Sequence, residues 1–346
     1  MASHDIAVAV LENPLLDITV QDDDWAIHNK YKLEHGQASL VDENTMPIHD
    51  ELFAREDKEL TVGGSALNTA RACNFLLHKA NVPQKVMFSG CIAHDEAGEI
   101  LKKALNDADM IGTWAYTEEI GTGRCAVVVH GKERTLCANI GASAKYPTSA
   151  YEENEHLFRK AGVIYTTGFF ITSNAEAFSK CLTMASGENI PVCFNISAVF
   201  VCQFYKDTVD FAIEHADFVF CNEDEGSQYA EMAGLDKADR LGAAKYIAKY
   251  KKANNKRNRV SIITQGADSV IIAEANPNTP EAEPWTMQVN VRPIPKEKII
   301  DTNGAGDSFV GGFLSAYVQK KHIVDCVKAG IDMSAIVVQR LGCQFE

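Results

Sequence analysis

No two cysteines in the sequence form a C-x-x-C pair, although ten are present among 346 residues. They stand at 73, 91, 125, 137, 181, 193, 202, 221, 326 and 343, several inside apolar runs such as CAVVVH. That scatter argues against zinc and disulfides and for reduced, mostly buried thiols. No apolar run approaches the roughly 20 residues that cross a bilayer. The opening MASHDIAVAVLENPLLD has no basic segment ahead of a cleavable apolar stretch, and GCQFE matches no lipidation or peroxisomal signal. A soluble, cytoplasmic chain with no membrane partner is the expectation. Positive charge is also scarce, with 33 Lys and Arg against 47 Asp and Glu, a net charge of -14. Such a balance repels phosphate backbones and excludes nucleic acid as a partner. The one basic run, KYKKANNKRNR, ends at Arg259 between a helical and a strand-like stretch and reads as a solvated connecting loop.

Repeats, low-complexity tracts and long polar linkers are absent as well. The length suits one large domain or two moderate ones. Nothing demands a second subunit, so a monomer is expected. What the chain does contain is alternation. The runs IAVAVL, KVMFSG, VIYTTGFF, VCFNIS, FVFCN and VSIIT are rich in β-branched and aromatic residues and predict strands. Between them ALNTARACNFLLHKA, AEAFSKCLTMAS and ADRLGAAKYIAKY carry apolar residues at helical spacing. This pattern predicts α/β architecture, a doubly wound, mostly parallel sheet flanked by helices. Two segments break the rhythm. Residues 18–60 are charged and poorly periodic, and 121–141 read as a hairpin turning at Gly131-Lys132. They predict a small lid domain, leaving 1–17, 61–120 and 142–346 as the large one.

The stretch DTNGAGDSFVGGF follows the apolar pair Ile299-Ile300 and leads into a helical stripe of Phe309, Phe313, Leu314 and Tyr317. In an open α/β sheet such strand-to-helix crossings hold ligands. Small residues at Gly304, Ala305 and Gly306 let backbone N–H groups converge on an anion. A phosphate cradle alone would not want Asp307 at its rim, because like charges repel. The carboxylate makes sense if an uncharged hydroxyl loses a proton as it attacks phosphorus. Gly311-Gly312 inside a helix costs about 1 kcal/mol per glycine, which points to a close backbone contact there. A P-loop and a dinucleotide fingerprint are both missing. None of the ten histidines falls in H-E-x-x-H or beside a nucleophile, so they are assigned to surface or structure.

DTNGAGDSFVGG resembles the C-terminal signature of the ribokinase-like (PfkB) carbohydrate and nucleoside kinases, and VGGSALNTARA, Val62 to Ala72, resembles their N-terminal glycine signature. Further resemblance runs through NPLLD, FSGCIAHDEAGEI, TGRCAVVV, TLCANIGAS, GFFIT, NISAVF, FCNEDE and ITQG. It implies a ribokinase-like fold with a small α/β lid, ATP as co-substrate with Mg2+, and adenosine as the acceptor. Asp307 would be the base on the 5′-hydroxyl, the backbone of Asn303, Gly304, Ala305 and Gly306 the anion hole, and Arg134 a lid residue reaching the phosphates. Asn13, Asp17, Gly63, Gly64 and Asn68 would hold the ribose. Leu15, Gln37, Ser65, Cys125, Leu136, Ala138 and Phe169 would surround the purine. Asn222 and Glu225 would order the metal through water, with Thr264 and Gly266 near the triphosphate and Asn303 shared. Ala38 and Ser39 depart from the larger aliphatics the family pattern implies.

Plainer readings stand beside these. Asn13-Pro14 is also a turn, Asn222 to Glu225 a helix cap, Arg134 an exposed hairpin charge, and Leu136, Ala138 and Phe169 ordinary core. A sugar kinase and a catalytically silent nucleoside sensor are the alternative functions.

Overall fold

The structure is a computed structural model and describes residues 5–131 and 133–345. Its strands, in chain order, are β1 (Ile6–Leu11), β2 (Leu15–Gln21), β3 (Ala38–Leu40), β4 (Glu59–Gly63), β5 (Lys85–Ala93), β6 (Ile111–Thr117) and β7 (Arg124–His130). There follow β8 (Glu133–Asn139), β9 (Ile164–Thr167), β10 (Val192–Asn195), β11 (Phe218–Asn222), β12 (Arg259–Gln265), β13 (Asp268–Ala275) and β14 (Trp285–Val289). Nine of them form one sheet in the order β14-β13-β12-β11-β10-β9-β1-β5-β6. All pairs from β12 to β6 are parallel, and β13 and β14 close that end as antiparallel hairpins.

Every residue of β1 is buried, as expected of a strand covered on both faces, and apolar clusters fill the space on either side of the sheet. The chain winds outward from β1 to β5 and β6, then returns across β1 to β9 and winds the other way. The winding reverses between β1 and β9. The carboxyl ends of β1, β9, β10, β11 and β12 therefore open into one crevice. β9 is shorter than its apolar run suggested, because at Gly168 the chain turns into a short helix, Gly168–Ile171, whose Phe169 N–H donates to the Thr167 hydroxyl.

The second sheet has the order β3-β8-β7-β2-β4. Along β7 the side chains alternate. Ala126 and Val128 pack with Ile18, Val20, Ile48 and Leu52 under two short helices, Ala26–Tyr31 and Ile48–Ala54. Cys125, Val127 and Val129 face the other way with Leu15, Leu136 and Ala138. The small sheet thus offers an apolar face of its own. β7 and β8 form the hairpin, with Gly131 at positive φ in its turn, while Lys132 lies outside the described residues. β2 begins at Leu15 and β4 ends at Gly63, so this sheet draws on residues beyond 18–60 at both ends.

Two helices sandwich the Ala305–Val318 helix. A methyl group on Gly311 would sit 2.6 Å from the Ala72 Cβ of the Ser65–Lys79 helix, and one on Gly312 would sit 2.4 Å from the Ala329 carbonyl of the Ile323–Val337 helix. That close approach accounts for the paired glycines inside a helix.

The basic run is a connecting loop, as expected, but it is solvated only in part: Lys249, Lys251 and Lys256 are exposed while three other cations turn inward. Lys252 and Arg257 both pair with the buried Asp217, at 2.8 and 3.0 Å. Arg259 is 1 % exposed and donates to the carbonyls of Glu214, Ala216, Ile247, Tyr250 and Lys251. These carbonyls end two helices, Lys206–His215 and Arg240–Lys249, where a cation meets the negative end of each dipole. No helix among the described residues is long and apolar enough to cross a membrane.

Candidate active site

Asp307 lies in the first turn of the Ala305–Val318 helix, and Gly304 just before it adopts φ +74°, which lets the loop turn sharply into the helix. The carboxylate is half-buried and accepts two hydrogen bonds from the Ser65–Lys79 helix, from the Ser65 hydroxyl at 2.6 Å and the Asn68 amide at 3.1 Å. Residues 242 positions apart thus meet, joining the two glycine-containing signatures into one unit. Burial raises the Asp307 pKa above the ordinary carboxylate value, and the Ser65 and Asn68 hydrogen bonds pull it back. Ser65 and Asn68, expected at purine and ribose, line the cleft and in addition hold the carboxylate in place.

The loop before Asp307 has four backbone N–H groups in the expected anion hole, and two are already engaged. Asn303 donates to the Asp301 carboxylate at 2.9 Å and Ala305 to the Thr302 carbonyl at 3.3 Å. The N–H groups of Gly304 and Gly306 donate to no protein acceptor among the described residues. A two-donor cradle at a helix N-terminus remains.

In front of Asp307 opens a cleft of about 370 Å³ between the two sheets. One half is apolar, walled by Leu15, Cys125, Leu136, Ala138 and Phe169 with Ala38 and Ser39 at its edge. The other is polar, lined by Asn195, Ser197, Asn222, Glu225, Thr264, Thr302 and the loop from Asn303 to Asp307. Asp17, Gly64, Ser65 and Asn68 stand between the halves. Gly63 lies directly behind Asp17, where a methyl group would fall 2.2 Å from its Oδ1. Burial pushes the Asp17 carboxyl up to about 7 against the pull of Arg134 and Arg71.

Asn222 caps the Glu223–Met232 helix, its Oδ1 accepting from Asp224 and Glu225 while the Glu225 carboxylate accepts from the Asn222 N–H at 3.0 Å. The plain cap reading therefore describes this corner, yet both residues still face the cleft. Burial raises Glu225 to about 7, and the N–H groups of Asn222 and Ser197 oppose that rise. Ser197 has φ +71°, a left-handed backbone that is rare outside glycine and marks strain at a cleft wall. Asn195 and Ser197 lie in the NISAVF stretch of the resemblance, which assigns them no role. The signal available was position, at the carboxyl end of a predicted strand.

Five residues expected here lie outside the cleft lining, Gly63 behind Asp17 among them. Asn13 commits its side chain elsewhere, donating to the Phe169 carbonyl at 3.3 Å and accepting from the Ser173 hydroxyl at 2.8 Å. Gln37 is exposed ahead of β3. Gly266 forms the turn between β12 and β13 at φ +57°. Arg134 turns to Asp301, its Nε 3.0 Å from Oδ2 but without hydrogen-bond alignment, so the contact is ionic. Beneath Asn13, Glu12 is 1 % exposed and accepts from the N–H groups of Asn13 and Thr167 and from the Thr167 hydroxyl. Burial raises its pKa to about 8, and the hydrogen bonds from Thr167 and Asn13 oppose that rise.

A crevice at the reversal point of a doubly wound sheet, an apolar second sheet facing it, and a carboxylate beside free helix N–H groups define a class of phosphoryl-transfer enzymes. The family described as pfkB family carbohydrate kinase matches residues 38–346, and the chain belongs to it. Adenosine kinase 2 of Arabidopsis thaliana is 35% identical over 99% of this chain and 97% of its own. The solved Anopheles gambiae adenosine kinase in complex with P1,P4-di(adenosine-5) tetraphosphate is 33% identical, with a TM-score of 0.87 over 97% of this chain and 96% of that one. The Schistosoma mansoni adenosine kinase in complex with adenosine and AMP is 29% identical, also at 0.87, over 100% and 98%.

Proposed function

We propose that this kinase transfers the γ-phosphoryl group of ATP to the 5′-hydroxyl of adenosine, yielding AMP and ADP. One observation carries the choice of substrate class: the half-apolar, half-polar cleft that meets at Asp307. An apolar wall of Leu15, Cys125, Leu136, Ala138 and Phe169 suits a purine, and a free sugar would leave it wet. Asp17 accepts from the vicinal ribose hydroxyls in this reading. Asp307 takes the proton from the 5′-hydroxyl as the new O–P bond forms and the bond to the β-phosphate oxygen breaks. Burial raises its pKa, which makes it a stronger proton acceptor than an ordinary carboxylate. The free N–H groups of Gly304 and Gly306 offset the charge on the phosphoryl group in flight.

Among the described residues no group of three or more His, Cys, Asp or Glu side chains converges as a metal cage. Asn222 and Glu225 instead fit a hydrated Mg2+, which retains waters and takes its other ligands from phosphate. Bound with ATP, that ion would neutralise phosphate charge. Closure of the small sheet over the cleft would keep water from the γ-phosphate.

The direct test incubates the purified chain with ATP, Mg2+ and adenosine, with ribose as competitor. AMP formation is the expected product, and ribose phosphate without AMP would move the assignment to a sugar kinase.

The Asp17 carboxyl adds a pH dependence. Its ionised form accepts from two hydroxyls through both oxygens and with full charge, and its pKa is raised to about 7. Nucleoside affinity should therefore fall as pH drops below 7, approaching about tenfold per unit. Equilibrium binding, which turnover at Asp307 cannot distort, should show this slope in the parent and not in Asp17→Asn. A flat profile in the parent would refute the ribose role.

A further inference from the structure

Asp301 is 7 % exposed, does not line the cleft, and yet joins three parts of the chain. Its Oδ1 accepts the Asn303 N–H at 2.9 Å, inside the loop that leads to Gly304 and Gly306. Its Oδ2 accepts the Gly342 N–H at 2.8 Å and faces Arg134 Nε of β8 at 3.0 Å. The segment before it, Ile299-Ile300, follows a short 3-10 turn, Lys296–Lys298, and is not the strand end expected from the sequence; it is tied as well, because the Ile300 N–H donates at 2.8 Å to the Val338 carbonyl past the Ile323–Val337 helix.

The segment after Gly342 packs under the same loop. Cys343 lies behind Gly304, where a methyl group would meet its Sγ at 3.0 Å, and stands 3.4 Å from the Ser308 hydroxyl. Phe345 is buried against Phe75 beneath the Arg71 guanidinium. A loop held only by its own turn would leave Gly304 and Gly306 free to wander. Here one carboxylate ties it to the small sheet on one side and to residues 342–345 on the other.

We propose that Asp301 is a positioning residue that couples the small sheet, through Arg134, to the geometry of the Gly304–Gly306 cradle. It touches no reacting atom. Its effect on turnover rests on the adenosine kinase reading, but its effect on loop order does not. Removing either the carboxylate or its arginine loosens the loop, and removing both adds little more, because the two act as one link.

The test reads hydrogen exchange of the 302–308 amides in the ligand-free chain, for the parent, Asp301→Asn, Arg134→Gln and the double variant. Exchange is expected to rise about tenfold in each single variant, the loss of one charged contact, and to rise less than threefold further in the double variant. In turnover, Asp301→Asn should lower kcat about 100-fold, as a displacement near 1 Å can do, with KM for the nucleoside within about threefold. Exchange unchanged from the parent, additive effects, or kcat and KM moving together would each overturn the proposal. If Asp301→Asn fails to fold, exchange in Arg134→Gln alone decides, with parental rates refuting the link. Failure of AMP formation in the parent would instead strike the functional reading and leave the exchange result standing.

Discussion

Replacing Asp307 with asparagine is expected to lower kcat by about 1,000-fold, within the range that general-base catalysis contributes, while equilibrium binding of adenosine changes little. The side chain keeps its shape but loses its negative charge and the capacity to take a proton. The surroundings can accept the change. The Ser65 hydroxyl still finds the asparagine oxygen, and Asn68, whose Oδ1 is buried with no partner, can turn that oxygen toward the new amide. The melting temperature should therefore hold. Steady-state turnover, nucleoside binding and a melting curve on one preparation decide the matter. A variant that keeps more than about a tenth of parental kcat would remove Asp307 from the role of base, since a loss so small lies below what a positioned base supplies.

Gly63→Ala should fail in the opposite way, raising KM for adenosine by about 100-fold, the ~3 kcal/mol of a hydrogen bond to a charged group, with kcat at saturation largely kept. The cause is steric. A methyl group at Gly63 would lie 2.2 to 2.4 Å from the carboxylate atoms of Asp17, so the carboxylate must swing away. The backbone is spared, because Gly63 is a β4 residue whose φ is not in the left-handed region and which pairs with Leu15 of β2. Kinetics at varied adenosine beside Asp17→Asn would test it. Matching KM rises in the two variants are expected, whereas an unchanged KM in Gly63→Ala would show that Asp17 does not hold the nucleoside.

Several features were legible because their physics is local. DTNGAGD announces a small-residue turn into a helix, and the structure has that turn with Gly304 at positive φ. The runs IAVAVL and FVFCN coincide with β1 and β11, since a strand covered on both faces is apolar throughout. Other features depend on partners distant in sequence. Nothing near Ser65 or Asn68 says that their donors point at a carboxylate 242 and 239 positions away. Arg134 looked free to reach a phosphate because Asp301 is remote from it along the chain. The cations of the basic run looked solvated because the carbonyls that receive Arg259 belong to helix ends assembled only on folding.

From the chain alone followed the α/β class, the small-residue turn into the Asp307 helix and the family, because strand periodicity, turn-forming glycines and signature order are properties of neighbouring residues. Folding alone decided which donors hold Asp307, which two N–H groups stay open to an anion, and where Arg134 points. Hydrogen bonds and ion pairs need atoms within about 3 Å of one another, and only the packing of the two sheets against the closing helices brings those atoms together.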